Sequence, residues 1–541
     1  MIIVDPVALG DVACTRASPK WVHDRVGALV EVPVNTLGVT YDPSDLSLAP
    51  YAVVEPEAKN LLRHSEQFDI VWGRANLGVG IDVAVAPNGA ATADRLIAAA
   101  FSGAHYCDQE VAGPFNDGEL YTFSVYLKAD TLERARLDMY YAVGSSGGYQ
   151  AVFNLKTGVV ESKAADVHHA EIEVLPNGWC RCWIVGVVAF ASTYPTRLLS
   201  RIVLMQSTTT TSWIGTGDEA VFAFGAQLEA GDKPTSYIPT AATTVTRAAD
   251  VIGAGAGLVY SNVPMVEPPY NAATTYAKDA AVYDPATKIV YWSMQAANVG
   301  KPLSDPAWWN KRTAINRWAM FDDRNSTVTS NPEEIITVIS AKAIAQGFFA
   351  GALDASEVRI SMTHPTRGVV YSETRRLVLP RSGSSFYGWC FNRLRMRTWF
   401  RTLKLPVFAN ALVTIAILKS GGVPKCGMAM LGPTEDGGGT LMGLSTELKD
   451  YSTTTFFPDG SSDTVVRGFS KRMSVDVTVE RDRVEALEDY FAKRRQKTLV
   501  IFGSTLRGDA MLVGKVSSFR KVIDSYPRSK MALQVEGVLS Q

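Results

Sequence analysis

Short runs of aromatic and β-branched residues, each ended by a turn, recur along most of this chain, and that punctuation limits its fold more than any other feature. Tyr121-Thr-Phe-Ser-Val-Tyr-Leu127, Trp179-Cys-Arg-Cys-Trp-Ile-Val185 and Val221-Phe-Ala-Phe224 are the clearest runs. Residues of this kind fit a pleated, half-buried surface. Between them stand Asn116-Asp117-Gly118, Pro176-Asn177-Gly178 and Gly215-Thr216-Gly217, whose backbone preferences suit tight turns. Many short strands closed by turns predict a two-sheet sandwich over residues 59–250, preceded by a lead segment, 1–58. At 541 residues the chain exceeds what one core can organise, so a mainly β, multidomain protein is expected.

The remainder divides by composition. Gly253, Gly255 and Gly257 followed by Pro264, Pro268 and Pro269 read as a linker, 251–269. A small aromatic β module, 270–329, follows, with Tyr276, Tyr283, Tyr291, Trp292, Trp308, Trp309 and Trp318 close together. Strand signals return over 330–420, clearest at Val358-Arg-Ile-Ser-Met362 and Leu412-Val-Thr-Ile-Ala-Ile-Leu418, and predict a further β-sandwich. Residues 421–541 read as an α+β domain. Apolar residues alternate in Met473-Ser-Val-Asp-Val-Thr-Val479, a half-buried strand. Asp482 can then cap a helix carrying Val484, Leu487, Tyr490 and Phe491 at helical spacing, with Lys493-Arg-Arg495 at its negative end. Leu499-Val-Ile-Phe502 is a buried strand.

Several function classes are excluded. With 53 basic against 54 acidic side chains, the chain lacks the basic excess of a nucleic-acid binder. No run approaches the roughly 20 apolar residues of a bilayer span, and Met1–Gly10 does not look like a signal peptide, so a product made in a reducing cytoplasm is expected. Of six cysteines only Cys180 and Cys182 are close, and on a strand they would pack on one face, with no zinc signature. Asp322-Asp323 and Glu333-Glu334 are adjacent pairs, which a strand would turn to opposite faces; they read as solvated loop charges and not as the flanking carboxylates of a glycosidase. Gly144-Ser-Ser-Gly-Gly148 reads as a turn, His168-His169 lacks the spacing of a metal site, and no dense Asp cluster marks a calcium loop. No catalytic residue, metal or cofactor is expected.

Asn60-Leu-Leu-Arg-His-Ser-Glu-Gln-Phe68 with Trp72, Ala86-Pro-Asn-Gly89, Pro176-Asn-Gly-Trp179, Gly225-Ala-Gln-Leu-Glu229, Pro234-Thr-Ser-Tyr-Ile-Pro239 and Thr246-Arg-Ala-Ala-Asp250 resemble, in order, a jelly-roll module of bacteriophage tail and fibre proteins. Thr15-Arg-Ala-Ser18 and Glu55-Pro56 resemble what precedes it there. The family is similar to carbohydrate-binding modules and concanavalin-like sandwiches, which implies that fold and, through it, sugar recognition. Tyr276, Val282-Tyr283, Tyr291-Trp292, Pro302 and Trp308 resemble the small chitin-binding modules of chitinases, except that Gly300-Lys301 stands where those modules place an exposed tryptophan. Asn316-Arg-Trp-Ala-Met-Phe-Asp322 and Val466-Arg-Gly-Phe-Ser-Lys-Arg-Met473 are similar to phage tail or baseplate proteins.

Sugar rings stack on flat aromatic faces, which makes Tyr291, Trp292, Trp308 and Trp309 the candidate carbohydrate-binding residues; a small module also fills its core with such rings. Trp72, Tyr140, Tyr141 and Trp213 could line a groove in the larger sandwich, with packing the favoured account. Thr374 to Lys404 carries Arg375, Arg376, Arg381, Arg393, Arg395, Arg397, Arg401 and Lys404 and no acid. Arginine suits planar contacts at interfaces, so Arg375, Arg376, Arg393, Arg395, Arg397 and Arg401 are candidates for docking another protein, with an anionic glycan or lipopolysaccharide phosphate as the lesser alternative. The expectation is a structural virion protein of a phage tail tip or baseplate. It would be a symmetric homo-oligomer touching other tail proteins and host-surface polysaccharide or lipopolysaccharide. A tailspike-like depolymerase and a head decoration or fibre protein are the alternatives.

Overall fold

The computed structural model is mainly β, with 51% of the chain in strands against 5% in helices, in agreement with the sequence reading. It describes all residues except 142–147, 189–196, 342–344, 380–385, 392–394, 506, 508–509, 524–526 and 539–541. Two compact units form: Ala13–Gly253, and Met1–Val12 together with Ala254–Gln541. The lead segment is therefore divided between them at Val12.

Within Ala13–Gly253 lie two six-stranded antiparallel sheets. One runs, in spatial order, Leu77–Ala84, Ala93–Ala98, Ala220–Ala230, Glu119–Ala129, Trp179–Val188 and His169–Val174. The other runs Val159–Lys163, Tyr149–Asn154, Arg134–Tyr141, Arg197–Met205, Tyr106–Ala112 and Gly73–Ala75. Pairing is nested, earliest with latest: Ala93–Ala98 with Ala220–Ala230, Tyr106–Ala112 with Arg197–Met205, Glu119–Ala129 with Trp179–Val188. A long ribbon folded over on itself gives this order, that of a jelly roll. Alternation along each strand sends Phe123, Leu127, Leu137, Met139, Ile184 and Ile202 into one core. Cys180 and Cys182 enter it together, as their spacing implies.

The other unit holds a second sandwich. Its six-stranded sheet is Gly10–Asp11, Gly257–Ser261, Glu334–Ser340, Leu412–Leu418, Glu357–His364 and Gly368–Arg376. Its four-stranded sheet is Thr329–Ser330, Lys425–Gly432, Gly347–Asp354 and Trp399–Thr402. Ile339, Phe348, Ile360, Val413 and Leu431 fill the space between. The Gly/Pro stretch read as a linker thus supplies a strand: Leu258 is buried and paired with Ile339, and the surrounding glycines and prolines hid a three-residue β run. Tyr276, Val282 and Trp309 form a small core beside the three-stranded sheet Ala281–Tyr283, Ile289–Ser293 and Trp309–Ala314.

The last sheet is built from both ends of the chain. Its order is Thr434–Asp436, Ile2–Val4, Leu499–Phe502, Met511–Ile523, Arg528–Gly537 and Phe469–Glu480, the last also pairing with Gly439–Thr440 and Ser445–Asp450. Ile3 is fully buried between Glu435 and Ile501. A Cβ on Gly432 would strike the Asp5 carbonyl, so only glycine admits the incoming terminal segment there. Helix Arg481–Lys493 buries Val484, Leu487 and Phe491 against Met473, Val475 and Val477. Its N-cap is Glu480, with no side-chain bond, and not the expected Asp482; Asp482 sits in the first turn, where its charge favours the helix through the dipole alone. Among the described residues no helix is long and apolar enough to cross a membrane.

Candidate functional site

The two outer faces of the jelly roll differ. The lead segment packs on one, and the other carries a row of charged and aromatic side chains over a small buried cluster of Val152, Val203 and Met205. Over the first, Trp21 and Leu29 from the lead segment pack on Tyr126, Trp179, Phe224 and Tyr237. Beneath this cover Arg16, Lys20, Glu55, Arg247 and Asp250 form a buried ion cluster. The Arg16 guanidinium donates to Asp250 (2.8 Å) and to the carbonyls of Ser18 (2.7 Å), Thr36 (2.9 Å) and Pro33 (2.8 Å). Lys20 contacts Asp250, Glu55 (3.0 Å) and the Val53 carbonyl (2.9 Å), and Arg247 pairs with Glu55 at 3.2 Å. Burial alone would raise the Glu55 carboxyl; Lys20, Arg247 and two bonds from Ser236 outweigh it and hold the group at about 2. The cluster joins Thr15-Arg-Ala-Ser18, Glu55-Pro56 and Thr246–Asp250, three of the motifs that carry the resemblance in the sequence. Their role here is to fasten the lead segment to the end of the module.

This second face carries the side chains that alternate with the core. On Arg134–Tyr141, Leu137 and Met139 point inward while Arg136, Asp138 and Tyr140 point outward. Register sets Gln150, Asp138, Arg201 and Asp108 in one row across four strands. The Arg201 guanidinium lies 3.8 Å from the Tyr106 ring centre and 5.4 Å from that of Tyr140, and donates to Asp108 through Nε (2.9 Å) and Nη2 (2.7 Å). Arg136 holds Asp138 with two bonds, at 2.6 and 2.8 Å. The Tyr140 hydroxyl donates to Asp138 (2.9 Å) and accepts from Gln150 (2.9 Å). Burial, then the Asp138 charge, pushes that hydroxyl up. At the margin, bonds from Arg134 hold Glu161 down at about 2. Arg136, Arg201 and Arg134 thus clamp the carboxylates of Asp138, Asp108 and Glu161. Asp138 is fully buried, while the side chains of Asp108 and Glu161 keep 16% and 17% of their surface.

Of the four aromatic residues expected to bind sugar, Trp309 is core, 2% exposed, with its indole N–H on the Lys301 carbonyl (3.0 Å). Tyr291 and Trp308 are half-buried against the same small core. Trp292 is 41% exposed, and the Arg312 guanidinium occupies one of its faces at 4.1 Å. The four therefore do not form one platform. In the jelly roll Trp72 and Trp213 are core residues, the half-buried Tyr140 ring stands on the outward face of its sheet, and the side chain of Tyr141 lies outside the described residues. The sequence singles out Tyr140 on this face but not Tyr106, Arg201, Arg136, Asp108 or Asp138, which complete it. Only strand register brings these together, so no local signal marks them.

The arginines separate into groups. Arg375, Arg397 and Arg401 converge around Trp399 and Phe400, while Arg376 and Arg395 are exposed apart from them, and Arg381 and Arg393 lie outside the described residues. Asp322 accepts from the Thr327 hydroxyl (2.7 Å) and the Arg324 N–H (3.0 Å), a turn contact, and is half-buried where a solvated charge was expected; Asp323 and Glu333 are exposed. His168 and His169 are exposed, the latter on Glu171 at 3.0 Å. Among the described residues no three His, Cys, Asp or Glu side chains gather as metal ligands would.

No family model matches this chain, and no characterised protein matches it in sequence. Among solved structures, a family 78 rhamnosidase of Bacillus sp. GL1 aligns over 77% of this chain at 11% identity with a TM-score of 0.18. The alignment spans 37% of the rhamnosidase. A likeness at that score carries no argument about fold or activity.

Proposed function

We propose that this chain is a structural component of a bacteriophage tail tip or baseplate that works by assembly contacts and host-surface glycan recognition, with no bond made or broken. The observation that carries the recognition half is the outward face of the second jelly-roll sheet, where the half-buried Tyr106 and Tyr140 rings flank Arg201 and its partner Asp108, a stacking surface with a donor and an acceptor suited to sugar hydroxyls. Because every group there is held by another, binding costs little side-chain ordering. Supporting the assembly half are Met442, Leu448, Phe456 and Val466, exposed on and around the strands Ser445–Asp450 and Thr453–Phe456. Isolated copies would leave this surface wet; symmetric neighbours would cover it, and repeated copies would multiply weak glycan contacts into avidity.

Two measurements test this reading. Labelled antibody should find the chain on purified phage particles, at the tail. Whole-cell or glycan-array binding by the purified oligomer should fall when Arg201→Ala and Tyr106→Ala are introduced together. Release of new reducing ends from host polysaccharide, abolished by changing one Asp or Glu, would instead establish a depolymerase.

A further inference from the structure

Among the described residues, several cations gather in one place with fewer acids than would match them. Arg375, Arg401 and Lys404 line a cleft of about 320 Å³ with Glu373, Thr402 and Thr505. The cleft lies between the edge strand Gly368–Arg376 of one sheet and the edge strand Trp399–Thr402 of the other, tied by the Tyr371 and Thr402 hydroxyls at 2.9 Å. Arg401 is fixed: Nη2 donates to the Thr505 carbonyl (2.7 Å), and its guanidinium lies 4.9 Å from the Phe502 ring centre and 5.7 Å from that of Trp399. Its Nη1 is buried and has no hydrogen-bond partner among the described residues. Arg375 is held by Glu373 at 2.7 Å and over Phe400 at 5.6 Å. Arg397 stacks on Trp399 at 4.7 Å. Burial, then the charges of Arg375 and Arg397, lowers the Arg401 pKa, which places three guanidinium groups within each other's field. Among the described residues around the cleft, Arg375, Arg397, Arg401 and Lys404 stand with one carboxylate, that of Glu373, an excess of three positive charges.

We propose that this cleft binds a phosphoryl group carried on a glycan, with Arg375, Arg401 and Lys404 as its direct partners. The inference deepens the recognition reading and rests on it for the glycan, although the cation cleft stands on its own geometry. A phosphoryl dianion neutralises two of the three excess charges where a carboxylate neutralises one. It also offers three acceptor oxygens to the donors of Arg375, Arg401 and Lys404 that line the cleft. Aromatic rings and backbone carbonyls hold the guanidinium groups in place beforehand, so the ligand need not order them. A hydroxyl on Thr505 and the room left in the cleft suit a sugar ring attached to the phosphate.

Titration calorimetry on the full chain, with inorganic phosphate, a hexose 6-phosphate, the parent hexose, a hexuronic acid and an acidic peptide as probes, tests this. The two phosphates are expected to compete for one site at about millimolar concentration, with the hexose phosphate tighter and hexose silent. Arg401→Gln should weaken phosphate binding about tenfold to a hundredfold, and Lys404→Gln, at an exposed position that cannot upset folding, several-fold. Arg201→Ala on the jelly roll should leave phosphate binding unchanged, so loss of neutral-glycan recognition there and loss of this site are separately visible. Absence of saturable phosphate binding, equal binding by uronate, tighter binding by the acidic peptide, or indifference to Lys404→Gln would each overturn the proposal.

Discussion

Replacing Asp250 by Asn tests whether the buried ion cluster fastens the jelly-roll unit. Asp250 has a fully buried side chain and receives Arg16, Lys20 and the Glu55 N–H (3.0 Å). In the parent three cations, Arg16, Lys20 and Arg247, face two carboxylates; in the variant they face Glu55 alone. Desolvated charges cannot turn to water, so losing one partner of a buried pair costs about 3–5 kcal/mol. A unit of this size loses roughly 2–4 °C of melting temperature per kcal/mol, which predicts a fall of about 6–20 °C in the transition of Ala13–Gly253 by scanning calorimetry. Adding Lys20→Met should then recover part of the loss, because it removes a cation left without its counter-charge while keeping an apolar stem in place. A shift below about 2 °C, or a double variant less stable than Asp250→Asn, would refute the account of these charges as mutually compensating.

Acid should act on the same region in two steps. Glu55 sits at about 2 when folded against an ordinary value near 4.5, so its stabilisation is present above the ordinary value and is lost as pH falls through about 2, about 3 kcal/mol in all, and Glu55→Gln should flatten that part of the unfolding profile. Burial, then Arg181, lowers His23 from 6.5 to about 4, so the unfolded state gains its proton first and stability falls between those values; Glu173, pushed up to about 7, acts in the opposite sense nearby, so the difference between His23→Gln and the parent is the quantity to measure. Trp309→Ala should cost about 3–5 kcal/mol in chemical denaturation and Trp292→Ala less than about 1, the value of a stacked guanidinium. Gly432→Ala should displace the N-terminal strand and cost about 1–3 kcal/mol, seen as faster amide exchange at Ile3 and Val4.

Local chemistry made the fold class legible: each strand of the jelly roll announces itself through its own residues and turns. The helix at Arg481–Lys493 was equally clear, since Val484, Leu487 and Phe491 mark its buried stripe, although its cap shifted to Glu480 because cap geometry depends on the strand that precedes it. Non-local pairing was not legible. Nothing in Ile2-Ile-Val4 says that it closes a sheet with residues near 500, and nothing in Leu258-Val-Tyr260 reveals a partner beyond position 330. The site followed the same division. Trp309 and Trp292 look alike in sequence, and only the three-stranded sheet decides that one is core and the other exposed. The run from Thr374 to Lys404 was conspicuous as charge, but which arginines converge depended on two edge strands meeting through Tyr371 and Thr402.

The inserted arrangement leads to a last prediction about folding. The Ala13–Gly253 unit begins and ends at neighbouring strands, with Cys14 paired to Ile252 and Thr15 to Val251, and Arg16 and Asp250 bonded just beyond them. Ends that are already adjacent make insertion cheap in loop-closure entropy, because the host chain leaves and returns at one place. In the host unit Gly10 and Asp11 pair in parallel with Gly257 and Leu258, and the Val12 N–H donates to the Leu258 carbonyl at 2.9 Å. Ala254 lies four residues before Leu258, so the gap left by excision is about 14 Å, from roughly 3.3 Å per strand residue and about 5 Å between strands. A Gly/Ser linker of about eight residues has a root-mean-square span near 16 Å and bridges it without strain. Replacing residues 13–253 by such a linker should therefore leave a chain that unfolds in one cooperative step with a strand-type circular dichroism spectrum. A spliced chain that aggregates or melts without cooperativity would show that the host needs its insert to fold, and that the two are not separable units.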